Sequence, residues 1–469
     1  MYLDTLPTGA MSDATIDRGL RPQGAAQAGP TVIVGLGRTG LACARFLSQR
    51  GIDLQVVDSR AEPPELAACK ASLPTIPLSL GRLDEALLER AATLVVSPGI
   101  AVGEPAIQRA AARGVPIVGD IELFARAAQA PVVAITGSNG KSTVTALLGA
   151  MAQAEGLDVR AGGNLGPPAL TLLEPPGADL YVLELSSFQL ETTHSLRPVV
   201  ATVLNISEDH LDRHRDLESY VAAKRRIFAG AGIQVLNLDD ARVAAMALAE
   251  RPVVGFTLQI PAEGVFGLLP RAGGSWLAKG NRPLLPVSAL HIPGLANVAN
   301  ALAALALGEA VGLSMAAMRE ALRRFRGLPH RLQWVANLDG VDWYDDSKAT
   351  NVGATIAAIG GFGAARQLIL IAGGDSKGAD FQSLRDPAAQ SVRAMVLIGR
   401  DAPRLEEALK DVVSVVRASG MTKACRRARE LAQPGDAVLL SPACASFDMY
   451  RDYQERGEDF VAAVRSMSQ

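Results

Sequence analysis

The sequence predicts an α/β protein of three domains. We expect a Rossmann-like N-terminal domain, a central P-loop-type domain with a parallel sheet plus a small antiparallel sheet, and a Rossmann-like C-terminal domain. From Thr31 onward, short Val/Ile/Leu runs alternate with helical patterns, which is typical of parallel sheets covered by helices. Glycine-rich turns follow apolar runs at two separate places. A chain of 469 residues is also long enough for about three domains.

Composition shifts give the expected domain boundaries. Residues 1–30 are rich in Gly, Ala and Pro without periodicity, so we expect a disordered extension there. The three domains are then predicted over 31–124, 125–327 and 328–469. Pro and Gly punctuate short strand patterns over 250–291, which indicates the small antiparallel sheet of the central domain.

Individual strands are predicted where Val, Ile and Leu cluster between turn signals. The candidate strands are 31–35, 54–58, 94–96, 115–118, 132–135, 180–185, 199–205, 341–344, 367–372, 394–398 and 437–441.

Charge and cysteine content narrow the function class. The net charge of −2 gives no basic field for nucleic acid or an anionic membrane, so we expect a small-molecule enzyme that binds neither. The four cysteines are scattered, which favours reduced thiols over a disulfide framework or a zinc site. Apolar runs stop short of the ~18 residues of a spanning helix, and the N-terminus lacks a signal pattern. We therefore expect a cytoplasmic monomer.

The most informative motif is a glycine loop between an apolar run and a helical pattern. Its glycines allow backbone N–H groups to approach an anion at a helix N-terminus, and Lys141 can reach the β- and γ-phosphates. The hydroxyl of Ser142 or Thr143 can bind Mg²⁺. This loop is shorter than G-x-x-x-x-G-K-[ST], but its flanking strand and helix favour phosphate binding, so the sequence predicts ATP as a substrate with Mg²⁺. The predicted phosphate-binding residues are Gly137, Ser138, Asn139, Gly140, Lys141, Ser142 and Thr143.

A second glycine loop opens the N-terminal domain. Gly35-Leu-Gly-Arg-Thr-Gly40 is a G-x-G-x-x-G that follows a strand, and Asp58 ends the next strand where a ribose-binding acid belongs. The glycines do not identify the nucleotide, so an NAD dehydrogenase is an alternative. Ser97-Pro-Gly99 ends a third strand with another turn suited to an anion. Two phosphate sites on one chain favour a nucleotide-linked substrate plus ATP.

The central domain carries acidic and histidine residues at its predicted strand ends. Glu184 follows an apolar strand and is a candidate Mg²⁺ ligand, because apolar neighbours favour a buried, partnered carboxylate. Asn205-Ile-Ser-Glu-Asp-His210 gathers oxygen ligands with an imidazole, which suits a hard cation better than zinc. Lys224 lies in a basic amphipathic turn that is typical of a solvated face. Asn297 and Asn300 share one helix face and could bind a base or a neighbouring loop.

The C-terminal domain repeats the pattern of polar turns after strands. Asp346, Lys348 and Thr350 follow one strand, Gly373-Gly-Asp-Ser-Lys377 ends the next, and Ser441-Pro-Ala-Cys-Ala-Ser-Phe447 ends a later one. Such turns line one edge of a parallel sheet, where substrates collect. A lysine there could anchor an anion or merely carry surface charge.

Together these residues resemble the Mur ligase family, and within it the ligases that add D-glutamate to UDP-N-acetylmuramoyl-L-alanine. The resemblance runs from about Thr31 to the C-terminus. The motifs that carry it are Gly119-Asp-Ile-Glu-Leu-Phe124, Thr136-Gly-Ser-Asn-Gly-Lys-Ser-Thr143, Leu183-Glu-Leu-Ser-Ser-Phe-Gln-Leu-Glu191, Asp346-Ser-Lys-Ala-Thr-Asn351 and Ser441-Pro-Ala-Cys-Ala-Ser446.

The resemblance implies a role for each candidate residue. It implies that the first glycine loop binds UDP rather than NAD, that Lys224 is carbamoylated into a metal ligand, and that Lys141, Glu184, His210 and Lys224 are the catalytic residues. Implied metal ligands are Ser142, Thr143, Glu184, His210 and carbamoylated Lys224. Implied UDP-sugar contacts are Gly37, Arg38, Thr39, Asp58, Arg60, Ser97, Pro98, Gly99 and Asn164. Further implied ATP contacts are Asn297, Asn300, Arg331, Asp346, Lys348 and Thr350. Implied glutamate contacts are Lys377, Ser446, Phe447 and Tyr453.

The resemblance also implies a reaction, in which ATP converts the substrate carboxylate to an acyl phosphate that the glutamate amine attacks. The product would serve peptidoglycan synthesis. A folylpolyglutamate synthase, a different Mur ligase and a non-catalytic nucleotide-gated regulator are alternatives. The sequence alone does not decide between D- and L-glutamate.

Overall fold

The computed structural model describes residues 29–207, 213–362 and 367–467. It divides into two compact units. The first unit holds the described residues through Arg271 together with Trp276–Leu284 and Asn300–Ala321. The second holds Ala272–Ser275, Leu285–Ala299 and the described residues from Leu322 onward. The predicted 1–30 extension lies almost wholly outside the described residues, and the three predicted domain boundaries stay a prediction.

The N-terminal sheet has five parallel strands in the order β3-β2-β1-β4-β5. Val32, Ile33 and Val34 of its central strand are fully buried, as expected for a parallel sheet with both faces covered. The strands are β1 Thr31–Val34, β2 Leu54–Asp58, β3 Leu78–Leu80, β4 Thr93–Val96 and β5 Ile117–Val118. The helices are α1 Arg38–Ser48, α2 Leu66–Ser72, α3 Glu85–Glu89, α4 Pro105–Ala112 and α5 Asp120–Ala127.

The central sheet has nine strands in the order β14-β13-β12-β11-β10-β9-β6-β8-β7. The short strands predicted over 250–291 are present and continue this sheet. The strands are β6 Val132–Thr136, β7 Val159–Gly163, β8 Leu180–Glu184, β9 Val200–Val203, β10 Ile233–Asn237, β11 Val253–Phe256, β12 Phe266–Arg271, β13 Gly274–Lys279 and β14 Arg282–Pro286. The helices are α6 Lys141–Ala154, α7 Ser187–Glu191, α8 Leu217–Arg225, α9 Ala241–Ala244, α10 Leu295–Ala310 and α11 Met315–Arg324.

The C-terminal sheet has six strands in the order β15-β16-β20-β17-β18-β19, and only the pair β15–β16 is antiparallel. All six residues of β17 are buried. The strands are β15 Gln333–Leu338, β16 Val341–Asp345, β17 Leu368–Gly373, β18 Val392–Ile398, β19 Ser414–Arg417 and β20 Ala437–Leu440. The helices are α12 Val352–Phe362, α13 Arg385–Ser391, α14 Ala402–Leu409, α15 Met421–Leu431 and α16 Tyr453–Ser466. The α/β class predicted from the sequence is confirmed.

Two acids of α5 join the N-terminal and central sheets of the first unit. Glu122 Oε2 accepts hydrogen bonds from the amides of His194 (2.6 Å) and Ser195 (2.8 Å). Asp120 accepts one from the Gln189 amide group at 3.0 Å, and burial raises the pKa of Asp120 to about 6. Such buried polar contacts are costly to break, because each would leave an unpaired group. They explain why the acids of Gly119-Asp-Ile-Glu-Leu-Phe124 occur within an otherwise apolar motif.

Within the described residues, no helix combines the length and the apolar character needed to cross a bilayer.

We expect Ile33→Ala to lower the free energy of unfolding by about 2–5 kcal/mol, since Ile33 is fully buried in β1 and the substitution leaves a cavity. Urea titration followed by circular dichroism measures the change. Ile260→Ala is the matched control in the same unit, because Ile260 is 67% exposed and should change stability by no more than about 0.5 kcal/mol. Equal losses in the two variants would contradict the assigned core.

Candidate functional site

The phosphate loop runs from the end of β6 to the start of α6 and contains a glycine that no other residue can replace without strain. Gly140 has φ +84°, and a Cβ there would lie 2.3 Å from Asn300 Oδ1. The left-handed backbone favours glycine, and a Cβ would also have to displace the Asn300 side chain. Asn300 is buried in the same unit, so its side chain shapes the loop from one side. The backbone turns at Gly140 directly into the N-terminus of α6, which favours anion binding.

Lys141 begins α6 and folds back over the loop. Its Nζ donates to the carbonyl oxygens of Gly137 (2.9 Å) and Ser138 (3.0 Å). The ammonium therefore lies at the loop itself, beside the N–H groups that begin the helix. Ser142 and Thr143 lie in the same first helical turn, partly exposed. This arrangement combines a cation, hydroxyls and a positive helix end, which are the groups that bind phosphates.

A second segment fixes the conformation of the loop. The Asn205 side chain accepts from the Asn139 amide at 2.8 Å and donates to the Asn139 carbonyl at 3.1 Å. Ser138 Oγ accepts from the Ser207 amide at 3.0 Å. These contacts join the loop to the residues that follow β9. The predicted His210 lies outside the described residues, as do its neighbours 208–212.

Glu184 ends β8 and is almost fully buried, as the sequence pattern predicted. Its Oε1 accepts a hydrogen bond from Asn164 Nδ2 at 2.7 Å. Among the described residues its buried Oε2 has no hydrogen-bond partner, and an unsatisfied buried carboxylate oxygen is costly. A hard cation would satisfy this atom. The described residues contain no cluster of three or more His, Cys, Asp or Glu side chains able to hold a metal ion.

Lys224 does not lie on a solvated face, so that interpretation of its basic turn is wrong. The residue is 2% exposed, and its Nζ donates to Gly137 O at 3.0 Å and to Thr136 Oγ1 at 3.3 Å. The ammonium also lies 4.5 Å from the Tyr220 ring centroid. Only one face of α8 is solvated, and Lys224 is on the other, where it reaches the phosphate loop. A helix pattern with several basic residues did not distinguish the two faces.

In the N-terminal sheet, the ends of β1, β2 and β4 come together. Ser97 Oγ donates to Gly35 O at 2.8 Å, and a Cβ on Gly40 would lie 1.9 Å from that same oxygen. Close packing of the loop on α1 thus explains why position 40 is a glycine. A cavity of about 580 Å³ opens beside this edge. Its lining includes Ser59, Leu83, Glu85, Gly99, Ile100 and Arg109.

Asp58 faces the interior rather than the cavity. Its two oxygens accept from the Leu36 amide (2.7 Å) and from the Arg60 guanidinium (2.9 and 2.7 Å). Burial alone would raise the pKa of Asp58, but these hydrogen bonds outweigh it and lower the pKa to about 2. Asp58 therefore holds the glycine loop and orients Arg60, which is half exposed at the edge. Arg38 donates to Gly166 O at 3.0 Å, while Gly37 and Thr39 lie at the N-terminus of α1.

In the second unit, Asp346 is the buried centre of the turn after β16. Its oxygens accept from the Leu332 amide (3.2 Å) and Ser441 Oγ (3.0 Å). Burial raises the pKa of Asp346 to about 7. Arg331 is exposed beside it, and Lys348 is partly exposed. The Thr350 amide donates to Lys348 O at 2.8 Å, so these predicted residues share one turn.

Two groups around this turn, the partly buried His330 and the buried Arg456, were missed by sequence reasoning. His330 has φ +61°, and its Nδ1 lies 2.7 Å from Asp345 Oδ2, a hydrogen bond that raises the pKa of His330. Arg456 is 1% exposed and donates to Ser347 Oγ, Ser347 O and Cys444 O at 2.9–3.1 Å. Neither residue stands in a recognisable local pattern, because the partners of these side chains lie 12 to 109 positions away.

The residues predicted to bind glutamate lie at two places within the second unit. Lys377 has φ +50° and its Nζ lies 5.5 Å from the Phe447 ring centroid, with Ser446 buried next in the chain. Tyr453 instead packs against Lys348, whose Nζ is 4.1 Å from the ring centroid. Asn297 also belongs to this unit and donates to Pro293 O at 2.8 Å, whereas Asn300 belongs to the first unit.

We expect Gly140→Ala to lower kcat/KM for ATP by about 10²-fold, since a Cβ would displace the loop against Asn300. Steady-state assays at varied ATP measure this. Gly156→Ala at the other end of α6 is the control, because Gly156 also has positive φ (+91°) but open space around it. Both variants should lose about 1–2 kcal/mol of stability through backbone strain. An equal loss of ATP turnover in both would refute the proposed fit.

Three successive parts of the chain match the domains of one enzyme family. Residues 29–119 match the Mur ligase MurD-like N-terminal domain, 135–308 the Mur ligase middle domain, and 330–444 the Mur ligase glutamate ligase domain. A protein of Nitrosococcus oceani named UDP-N-acetylmuramoylalanine--D-glutamate ligase is 57% identical over 448 residues, covering 96% of this chain and 98% of its own. Proteins of the same name from Marinobacter nauticus and Pseudomonas aeruginosa are 54% and 53% identical, each covering 93% of this chain and 98% of its own.

Solved structures share the fold at low sequence identity. The UDP-N-acetylmuramate-alanine ligase MurC of Thermotoga maritima is similar with a TM-score of 0.56 at 19% identity, covering 93% of this chain and 99% of its own. A UDP-N-acetylmuramoyl-L-alanyl-D-glutamate–2,6-diaminopimelate ligase has a TM-score of 0.58 at 19% identity, covering 80% and 93%. The resemblance indicated by the sequence motifs is confirmed. The chain belongs to the Mur ligase family.

Proposed function

We propose that this chain is the ATP-dependent ligase that joins D-glutamate to UDP-N-acetylmuramoyl-L-alanine, releasing ADP and phosphate in peptidoglycan precursor synthesis. The observation that carries the proposal is the relationship to ligases of that name at 53–57% identity over 93% or more of both chains. All three family domains occur in order along the chain. Folylpolyglutamate synthase is a poorer candidate, since the E. coli FolC structure shares only the fold, at 18% identity.

The proposed reaction has two steps. The substrate carboxylate attacks the γ-phosphate of ATP, breaking the bond to ADP and giving an acyl phosphate. The amine of D-glutamate then attacks the acyl carbon, and the tetrahedral intermediate expels phosphate to leave an amide. Lys141 stabilises charge on the transferred phosphoryl group, because its ammonium is held at the loop. The proposed ATP-binding residues are Gly137, Ser138, Asn139, Gly140, Lys141, Ser142, Thr143, Asn297, Asn300, Arg331, Asp346, Lys348 and Thr350.

Mg²⁺ is proposed as the metal ion, and when bound it would neutralise charge on the phosphate oxygens. The buried Glu184 Oε2, which has no partner in the part of the chain that the structure describes, supports a cation there. A carbamate on Lys224 would turn an ammonium beside Gly137 into an anionic ligand. The proposed ligands are Ser142, Thr143, Glu184, His210 and carbamoylated Lys224.

Substrate contacts are proposed in both units. The cavity beside Gly99 and Ser59 supports a nucleotide-sugar site at the N-terminal sheet. The positive charge of Lys377 beside the buried Ser446 supports a carboxylate site. The proposed UDP-sugar residues are Gly37, Arg38, Thr39, Asp58, Arg60, Ser97, Pro98, Gly99 and Asn164. The residues proposed to bind the glutamate substrate are Lys377, Ser446, Phe447 and Tyr453. We also propose a cytoplasmic monomer with domains over 31–124, 125–327 and 328–469.

Phosphate release from ATP tests the function directly. The assay contains Mg²⁺ and UDP-N-acetylmuramoyl-L-alanine, with D-glutamate, L-glutamate or no amino acid. We expect release only with D-glutamate, and its loss when a chelator removes Mg²⁺. Release with L-glutamate alone would reverse the stereochemical assignment. An absence of any amino acid dependence would refute the ligase, and NADH formation with an NAD⁺ supply would support a dehydrogenase.

We expect Lys224→Ala to be almost inactive and to regain part of its activity in millimolar acetate or propionate, because a free carboxylate can replace the lost oxygen ligand. Phosphate release at rising carboxylate concentration measures the rescue. Arg225→Ala is the control, since Arg225 is exposed on the other face of α8 and should give normal activity without a carboxylate effect. Full activity of Lys224→Ala without added carboxylate would refute the carbamate.

A further inference from the structure

Arg213 holds the Ser97–Ile100 turn from the outside. Its guanidinium donates to the carbonyl oxygens of Ile100 (3.2 Å), Pro98 (3.4 Å) and Gly99 (3.4 Å). The guanidinium carbon also lies 4.3 Å from the Phe188 ring centroid. One cation therefore spans three consecutive carbonyls and stacks on an aromatic face, which only the planar fork of arginine can do at once.

The turn that Arg213 holds borders the cavity of the N-terminal sheet. Gly99 and Ile100 line that cavity, and a Cβ on Gly99 would meet nothing within 4 Å, so the space in front of the turn is open. Three carbonyl dipoles in one turn would repel a phosphate group if they rotated toward the cavity. Hydrogen bonding to Arg213 directs them to a cation instead. This cation thus determines which backbone groups the turn presents to an anionic ligand.

The next residue connects this contact to the phosphate loop. His214 is buried, with its Nε2 2.9 Å from Ser187 Oγ and its ring 5.2 Å from that of Tyr220. The Tyr220 hydroxyl lies 3.1 Å from Ser138 Oγ of the loop. The two consecutive residues 213 and 214 therefore pack between the nucleotide-sugar turn and the ATP loop, and all of these contacts lie in the first unit.

We propose that Arg213 is a positioning residue for the nucleotide-sugar substrate. It holds the Ser97–Ile100 turn in the conformation that binds the diphosphate and sugar, without touching the reacting atoms. This inference rests on the proposed function, since it requires a nucleotide-sugar at that turn. It predicts an effect on one substrate only, because the side chain of Arg213 contacts the turn and Phe188, whereas the contacts toward the phosphate loop are made by His214.

The test is Arg213→Met, which keeps the length of the side chain and removes its charge and donors. We expect KM for UDP-N-acetylmuramoyl-L-alanine to rise roughly 10- to 100-fold, as for loss of hydrogen bonds to a charged group, while KM for ATP and kcat change less than about twofold. Calorimetric titration with UDP-N-acetylmuramoyl-L-alanine in the absence of ATP should show the same loss of affinity. If Arg213 had a purely structural role, the substitution would instead lower Tm and reduce kcat/KM for both substrates.

Two further variants make the test decisive. Arg215 lies two residues from Arg213, and its side chain is 93% exposed. Arg215→Met removes the same charge there, and this variant should bind the nucleotide sugar as the wild type does. Arg213→Lys keeps the charge but not the planar fork, so it should show a smaller rise of several-fold, and it serves if Arg213→Met does not fold. The inference would be overturned, with the proposed function left standing, by either of two results. One is that both Arg213 variants bind the nucleotide sugar as tightly as the wild type, and the other is that Arg215→Met loses as much affinity as Arg213→Met. Wild-type binding without phosphate release would overturn the proposed function alone, and a wild type that does not bind would overturn both.

Discussion

The carbonyl oxygen of Gly137 accepts hydrogen bonds from two lysines, and this shared acceptor governs the chemistry of the first unit. Lys141 Nζ lies 2.9 Å and Lys224 Nζ 3.0 Å from it, so the two nitrogens cannot be more than about 6 Å apart. Two ammonium groups so close in a mostly buried place repel each other. Bound phosphate would relieve the repulsion, and so would conversion of Lys224 to an anion. The same geometry thus favours both proposals, ATP at the loop and a carbamate on Lys224.

Burial shifts the pKa values of several charged side chains in both units. Asp346 and Arg456 in the second unit have pKa values of about 7 and about 10, each shifted toward the neutral form because water is excluded. In the first unit Asp120 shifts in the same direction, whereas hydrogen bonds keep Asp58 ionised despite its burial. Asp58, Asp346 and Arg456 each hydrogen-bond to a turn that follows a parallel strand. These strand-end turns are therefore stabilised by buried polar side chains.

Much of this architecture could be predicted from the sequence, and the failures have physical reasons. Continuous apolar runs such as β6 and β17 were found because both faces of a parallel strand are buried. Five of the described strands were not predicted. β3 has only three residues, and β7 consists largely of glycine and polar residues. β10 and β15 mix polar with apolar positions, and β19 is a partly exposed edge strand. Local motifs found the phosphate loop and Glu184. They could not find Arg213, His330 or Arg456, whose partners are distant in sequence, and they misplaced Lys224 on a solvated face.

The contact between Gly140 and Asn300 has a consequence for drug resistance. An inhibitor usually loses potency when the target replaces a residue that touches it, but any side chain at Gly140 would strain the left-handed backbone and displace Asn300. A compound whose affinity comes from the main-chain N–H groups of this loop contacts atoms that a side-chain substitution leaves in place. A resistance mutation at Gly140 itself would therefore also impair the loop.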